Sequence, residues 1–309
     1  MSANHELTLA ISTNWNVRRH SEPGSMLDEI LSLGARRVEL SNITAPLLPG
    51  LPEALAERGM VVQRIHNPCP WPLDGNGERA HWFAPDVLAS LEPAERTRGL
   101  AMGRRSIEIA QQLGAGAVVV HLGRVEIERL QAELFALLRE GKRAEFEALR
   151  AETLAERAAH APAHLEAALA SIRELGEHAA AAGVRLGVET RDGYFEMPSL
   201  AEFDAVFAAT AGLPVDYWHD IGHADRQLQL GIATPEQYLS RFGSRLLGVH
   251  LHDALFDRDH KAPGQGTINF HALARALPKG ILRTVEFGPS VTYEEACAGL
   301  EVLKQAGLA

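Results

Sequence analysis

The sequence predicts a (β/α)8 TIM barrel, a single domain over residues 1–309 with a helical insertion between the fourth and fifth strands. Three observations carry that prediction. Short apolar, β-branched runs recur eight times, and amphipathic stretches separate most of them. The C-terminal ends of six consecutive runs carry carboxylate or imidazole side chains. Strand-then-helix repeated eight times is the pattern of a closed parallel barrel, in which all strand ends open on one mouth.

The first run is "LTLAIS", Leu7–Ser12. It leads into Thr13-Asn14-Trp15-Asn16 rather than a glycine-rich phosphate turn, which argues against an open doubly wound sheet. A helix over Ser25–Leu33 places Met26, Ile30 and Leu33 on one face and stops at Gly34. The runs "RRVEL" (Arg36–Leu40) and "VVQRIH" (Val61–His66) follow. After His66 comes a long loop rich in proline, glycine and tryptophan, in which Trp71, Trp82 and Phe83 either stack on a ligand or pack the loop onto the barrel. A helix over Arg104–Leu113 precedes the fourth run, "AVVVHL" (Ala117–Leu122). Two helices around Gly141, within Val125–His160, form the insertion at 124–161. It lies on the catalytic side, where it caps the site, makes a homo-oligomer contact, or presents a solvated face. A further helix, Pro162–Ala182, repeats Leu165, Leu169, Ile172 and Leu175 and ends at Gly183. The last four strands are "VRLGVET" (Val184–Thr190), "VDYWHD" (Val215–Asp220), "LLGVHLH" (Leu246–His252) and "LRTVEF" (Leu282–Phe287).

The formal charge of −10 sets the chain against a phosphate backbone, so nucleic acid is not an expected partner. No apolar run reaches membrane-spanning length, so no membrane partner is expected either. Met1–Glu6 shows no secretory pattern. With only Cys69 and Cys297 there is no disulfide framework, and the reading is cytoplasmic.

The strand ends carry the chemistry. His66 ends the third strand and His121 the fourth; Glu189 lies late in the fifth. Asp220 ends the sixth with His223 just beyond, the seventh carries His250 and His252, and the eighth carries Glu286. Burying a carboxylate costs several kcal/mol unless it is paired or holds a metal. A lone histidine or glutamate here has an ordinary structural reading, as a capped residue or a buried ion pair; six in a row at one mouth do not. Neighbouring strands lie about 4.8 Å apart, so these groups can converge on an ion. Glu189, Asp220, His250 and Glu286 form one four-ligand site, and His66 and His121, with Glu189 bridging, could complete a second. Oxygen and nitrogen donors without thiolate suit zinc, manganese, cobalt or iron better than calcium. The expected cofactor is a divalent ion, manganese or zinc ahead of cobalt or magnesium.

The stretches "VVVHLG", "LGVETR", "WHDIGHA", "GVHLHD", "DHKAPGQGTINF" and "VEFG", with "VEL" and "RIH" before them, resemble the xylose isomerase-like barrel superfamily. That superfamily includes sugar isomerases and epimerases and the apurinic-site endonuclease type. The resemblance implies Glu189, Asp220, His250 and Glu286 as principal metal ligands, and His66 and His121 as ligands where a second metal binds. In the nuclease branch His223 and a D-x-H pair hold a third metal. Here the pair reads Arg258-Asp259-His260, so the aspartate is replaced. The leading expectation is a divalent-metal-dependent isomerase or epimerase of a sugar or sugar-like hydroxy-carbonyl compound. Glu189 and Glu286 would move protons through a metal-stabilised enediolate, and His223 would orient the substrate or a ligand. His260, Arg191, His252 and Trp71 are the expected substrate contacts. A one- or two-metal hydrolase of a phosphoester or amide, favoured by the intact His66 and His121, is the alternative. A non-catalytic binding protein on the same barrel is the third reading.

Overall fold

The structure, a computed structural model, describes residues 7–81, 86–128 and 130–309. Eight parallel strands close into a barrel in sequence order. They are β1 (Ala10–Ser12), β2 (Arg37–Leu40), β3 (Val61–His66), β4 (Ala117–Val120), β5 (Arg185–Glu189), β6 (Val215–Asp220), β7 (Leu246–Leu251) and β8 (Leu282–Val285). β8 pairs with β1 through Ala10↔Thr284 and Ile11↔Val285, which closes the ring. The helices are α1 (Pro23–Ser32), α2 (Leu51–Arg58), α3 (Pro93–Gln112), α4 (Gln131–Arg139), α5 (Arg143–Ala182), α6 (Glu202–Ala209), α7 (Ile221–Leu230), α8 (Pro235–Phe242), α9 (Phe270–Ala276) and α10 (Tyr293–Ala306). Among the described residues no helix is long and apolar enough to cross a membrane.

The barrel interior is filled, not hollow. Ala117, Val119, Trp218 and Leu247 pack inside it. The Arg64 guanidinium, fully buried, lies 5.3 Å from the Trp218 ring centroid. With this layer solid, the mouth above it is the place left for a ligand.

Three helix boundaries differ from the sequence reading. α3 starts at Pro93, eleven residues before the expected Arg104, because Gly99 and Gly103 break its apolar periodicity. Gly103 is there for contact: a Cβ on it would lie 2.8 Å from the Leu175 side chain, so only glycine lets α3 and α5 approach this closely. α5 runs unbroken for 40 residues through Pro162, where two helices were expected. An interior proline costs about 3 kcal/mol. Anchors on both sides hold the helix through it. Arg157 forks onto the Glu202 carboxylate at 2.8 and 2.7 Å, and His164 Nδ1 donates to the Ala89 carbonyl at 2.8 Å. A third helix, α7, begins directly after Asp220, where the sequence reading gave none, and the Asp220 side chain caps it by accepting from the His223 N–H at 2.8 Å.

Candidate metal centre

Consecutive strand ends deliver the principal donors. Glu189 ends β5, Asp220 ends β6, His250 lies one residue before the end of β7, and Glu286 follows β8 directly. All four are buried. His250 Nδ1 lies 2.7 Å from Glu189 Oε1, 3.1 Å from Glu286 Oε2 and 3.5 Å from Asp220 Oδ2. Its other nitrogen, Nε2, lies 2.9 Å from Glu39 Oε2, and Thr284 Oγ1 donates to the same oxygen at 3.3 Å. The Glu39 carboxylate accepts from Nε2–H, which leaves Nδ1 as the nitrogen that faces three carboxylates. Burial resists charge on His250, but Glu286, Glu39 and Glu189 outweigh it and favour a positive ring well above the ordinary histidine value. The same field attracts any cation. The geometry and the oxygen-and-nitrogen donor set therefore fit a divalent ion.

Glu39 was not identified as functional from the sequence. The signal was present: a glutamate inside the apolar run "RRVEL" is the same anomaly that marked Glu189. It is fully buried on β2, with Arg64 Nε 3.8 Å from its Oε2.

His66 and His121 approach Glu189 from the other side, with His66 Nε2 at 3.3 Å and His121 Nε2 at 2.6 Å from Oε2. His66 Nδ1 donates to the Asn67 carbonyl at 3.0 Å. His121 Nδ1 lies 3.2 Å from Asp86 Oδ1, a partner on the β3–α3 loop that no sequence pattern announced. Both rings therefore turn Nε2 towards Glu189. A fourth group also enters: Arg191 Nη1 lies 2.6 Å from His121 Nε2 and 3.4 Å from Glu189 Oε2.

The remaining expected residues divide. Trp71, Arg191, His223 and His260 line a cavity of about 600 Å³ over the mouth, along with His66, His121, Glu189 and Glu286. His223 Nδ1 donates to the Thr190 carbonyl at 3.0 Å, and its Nε2 lies 3.7 Å from Asp259. His260 sits between two acids, 3.0 Å from Asp259 and 3.6 Å from Glu286. Burial opposes charge on it, yet Asp259 and Glu286 hold it well above the ordinary value. The "PGQG" turn serves this placement. Asp253 accepts from the Gly264 and Gly266 N–H groups at 2.8 and 2.9 Å, and so holds the turn under the hairpin that carries His260.

His252 does not contact the cavity, contrary to expectation. It is fully buried behind Asp220. Its Nδ1 accepts from the His260 N–H at 2.9 Å, so Nε2 carries the proton and donates to Asp220 Oδ1 at 2.9 Å. A Cβ on Gly222 would lie 2.0 Å from this ring, which explains the glycine of "DIGH". Asp220, His223, His252 and His260 do cluster. Both His252 nitrogens have protein partners here, and Arg258 stands where the nuclease branch has an aspartate.

The insertion caps one side of the cavity through Gln131, Ala132 and Phe135. Arg139 on α4 reaches across to Asp257 of the hairpin at 2.8 Å. Trp82 and Phe83, and the Met1–Glu6 segment, lie outside the described residues.

A family model described as xylose isomerase-like TIM barrel matches residues 53–300. The chain belongs to that family. No curated protein matches it in sequence. Among solved structures, proteins with sugar-epimerase names superpose over nearly the whole chain. The 3-keto-D-glucoside 4-epimerase of E. coli is 16% identical, covers 97% of this chain and 100% of its own, and gives a TM-score of 0.68. An L-ribulose 3-epimerase is 18% identical over 97% and 95% of the two chains, with a TM-score of 0.67. A D-psicose 3-epimerase from Clostridium cellulolyticum H10, solved with D-tagatose, is 13% identical over 97% and 99%, at 0.65. At these identities the likeness is one of fold.

Proposed function

We propose that the protein is a divalent-metal-dependent epimerase or isomerase of a ketose or a related hydroxy-carbonyl compound. The observation that carries this reading is the pair of buried carboxylates, Glu189 and Glu286, flanking His250 Nδ1 on the floor of a sugar-sized cavity. The names of the structural neighbours, three epimerases of keto-sugars, support the substrate class.

Glu189, Asp220, His250 and Glu286 would hold the ion. When bound, a divalent cation supplies Lewis-acid polarisation of a carbonyl and its neighbouring hydroxyl. The chain supplies the proton transfer. Burial opposes ionisation of Glu189, but the His250 and His121 imidazoles more than compensate and hold its carboxyl well below the usual range. Glu286 behaves alike, with His250 and His260 holding it ionised. One carboxylate takes a proton from carbon on one face of the substrate, and the other, first protonated by a neighbouring imidazolium, returns that proton on the opposite face. His260, 3.6 Å from Glu286 and favoured in its charged form, is the proton donor that resets it. Arg226, paired with Asp192 and with Asp259 at 2.6 Å, holds the polar wall against which a sugar's hydroxyls would bind, while Trp71 and Phe135 offer flat apolar surface.

The test is isotope exchange. Manganese- or zinc-loaded protein is incubated in D2O with ketopentoses, ketohexoses and 3-keto-glucosides, and proton NMR follows each carbon. The expected result is deuterium at one carbon beside a carbonyl, together with the matching epimer or isomer. Absence of exchange from every member of the panel would contradict the reading.

The second reading, a two-metal hydrolase, is favoured by His66 and His121 turning their Nε2 atoms to Glu189. It requires a second ion at that place.

A further inference from the structure

Two donor clusters share Glu189, and one of them has an arginine against it. At the His66–His121–Glu189 cluster an ion would have to use the His121 Nε2 lone pair, its single acceptor on that side. The Arg191 guanidinium already points at it from 2.6 Å. Nη1 also lies 3.4 Å from Glu189 Oε2, so the guanidinium stands against both donor atoms of the cluster. Arginine has no acceptor and stays charged in proteins, so it can neither ligate a metal nor step aside by losing a proton.

Arg191 is locked where it stands. Its Nε and Nη2 bond Glu196 Oε1 at 3.0 and 2.6 Å. Glu196 Oε2 in turn accepts from the Asp192 and Gly193 N–H groups at 3.1 and 2.9 Å. Gln227 donates to the Arg191 carbonyl. Both side chains are almost wholly buried. Burial alone would disfavour the guanidinium charge, but Glu196, Glu189, Asp86 and Asp192 surround it and hold it.

We infer that Arg191 is the built-in cation of this cluster: its guanidinium occupies the place of a second metal ion and restricts the chain to one. The inference rests on the metal-dependent reading of Glu189, Asp220, His250 and Glu286. It goes beyond that reading by assigning the second positive charge to the protein. It also removes the two-ion centre on which the two-metal hydrolase reading depends.

Ion counting tests it. Full-length protein is saturated with Zn2+, freed of excess by gel filtration and analysed for metal; a parallel sample with Mn2+ is examined by electron paramagnetic resonance. Wild type should carry one ion per chain and show an isolated six-line Mn2+ signal. Arg191→Met should carry two zinc ions and show the broadened signal of a coupled pair, since two-metal centres set ions roughly 3.5–4 Å apart. Adding His121→Ala to Arg191→Met should return the count to one. Arg191→Met leaves Glu196 buried without its partner, so Arg191→Met/Glu196→Gln, with neither charge, is measured beside it and carries the test if the single variant does not fold. Two ions in the wild type would overturn the inference and leave the principal site standing. One ion in a folded variant lacking Arg191 would overturn it too. No ion in the wild type would defeat both the metal-dependent reading and the inference built on it.

Discussion

The two clusters around Glu189 pose one electrostatic problem and answer it differently. Each gathers imidazole lone pairs and carboxylate oxygens below a solvent-accessible cavity, in a place where negative charge needs a partner. On the β3–β4 side the partner is covalently part of the chain: Arg191, pinned by Glu196. On the β5–β8 side three carboxylates face His250 Nδ1, and Glu39 fixes the ring from behind by accepting from its Nε2–H. The difference teaches where exchange with solvent is possible. An arginine gives permanent charge and no coordination chemistry, whereas an ion is both a charge and an electrophile. On the proposed reading, the side that would hold the ion also carries Glu189 and Glu286 on the cavity floor.

The heaviest blow to this comparison falls on the proton-transfer pair. Glu189→Gln and Glu286→Gln should each lower turnover of an accepted ketose by about a thousandfold, within the range typical of a lost general acid or base, with circular dichroism unchanged. Near-normal turnover by Glu286→Gln would remove it from the chemistry. Next comes metal content. Asp220→Asn keeps a side chain able to cap α7 but loses the charged ligand, so it should purify metal-poor. His223→Ala should keep the ion and lose about 10–100-fold in rate, as an outer partner does. An empty His223→Ala protein would make His223 a ligand. Glu39→Gln sharpens the comparison from below. An amide accepts the Nε2 proton less strongly, and metal affinity should fall about 10–100-fold while urea stability changes little. Unchanged affinity would reduce Glu39 to a packing role.

The smallest effect comes from a buried group with no strong opposite charge beside it. Burial pushes the Cys69 thiol up to about 12 from 9.0, with Arg105 opposing weakly. Between these values the folded chain holds a proton that the unfolded chain releases. Stability therefore falls as pH rises, by about 1.4 kcal/mol per unit from this group. Urea denaturation from pH 9 to 11 should show that slope in wild type and a shallower one in Cys69→Ala.

The barrel was legible because each strand announced itself with β-branched residues, and because its catalytic end carried ionisable groups that a core would not tolerate. Glu189, Asp220, His250 and Glu286 could be read together for that reason. His252 could not be assigned correctly. It alternates with His250 along the strand, and only the three-dimensional path of the hairpin puts the His260 N–H on its ring. Asp86 was invisible because it comes from a loop, where no periodicity marks a residue. Arg191 was read as a substrate contact. The sequence held no hint that the third nitrogen of that guanidinium would reach His121, because that depends on how the β5–α6 loop folds back over the mouth.

The central claim is that one cluster takes an ion and the other keeps its arginine. It is tested most directly by anomalous scattering from crystals of manganese- or zinc-saturated protein. The account predicts one anomalous peak per chain, enclosed by Glu189, Asp220, His250 and Glu286, with the Arg191 guanidinium still against His121. A peak between His66 and His121, with Arg191 displaced, would contradict it, as would the absence of any peak among the four principal ligands.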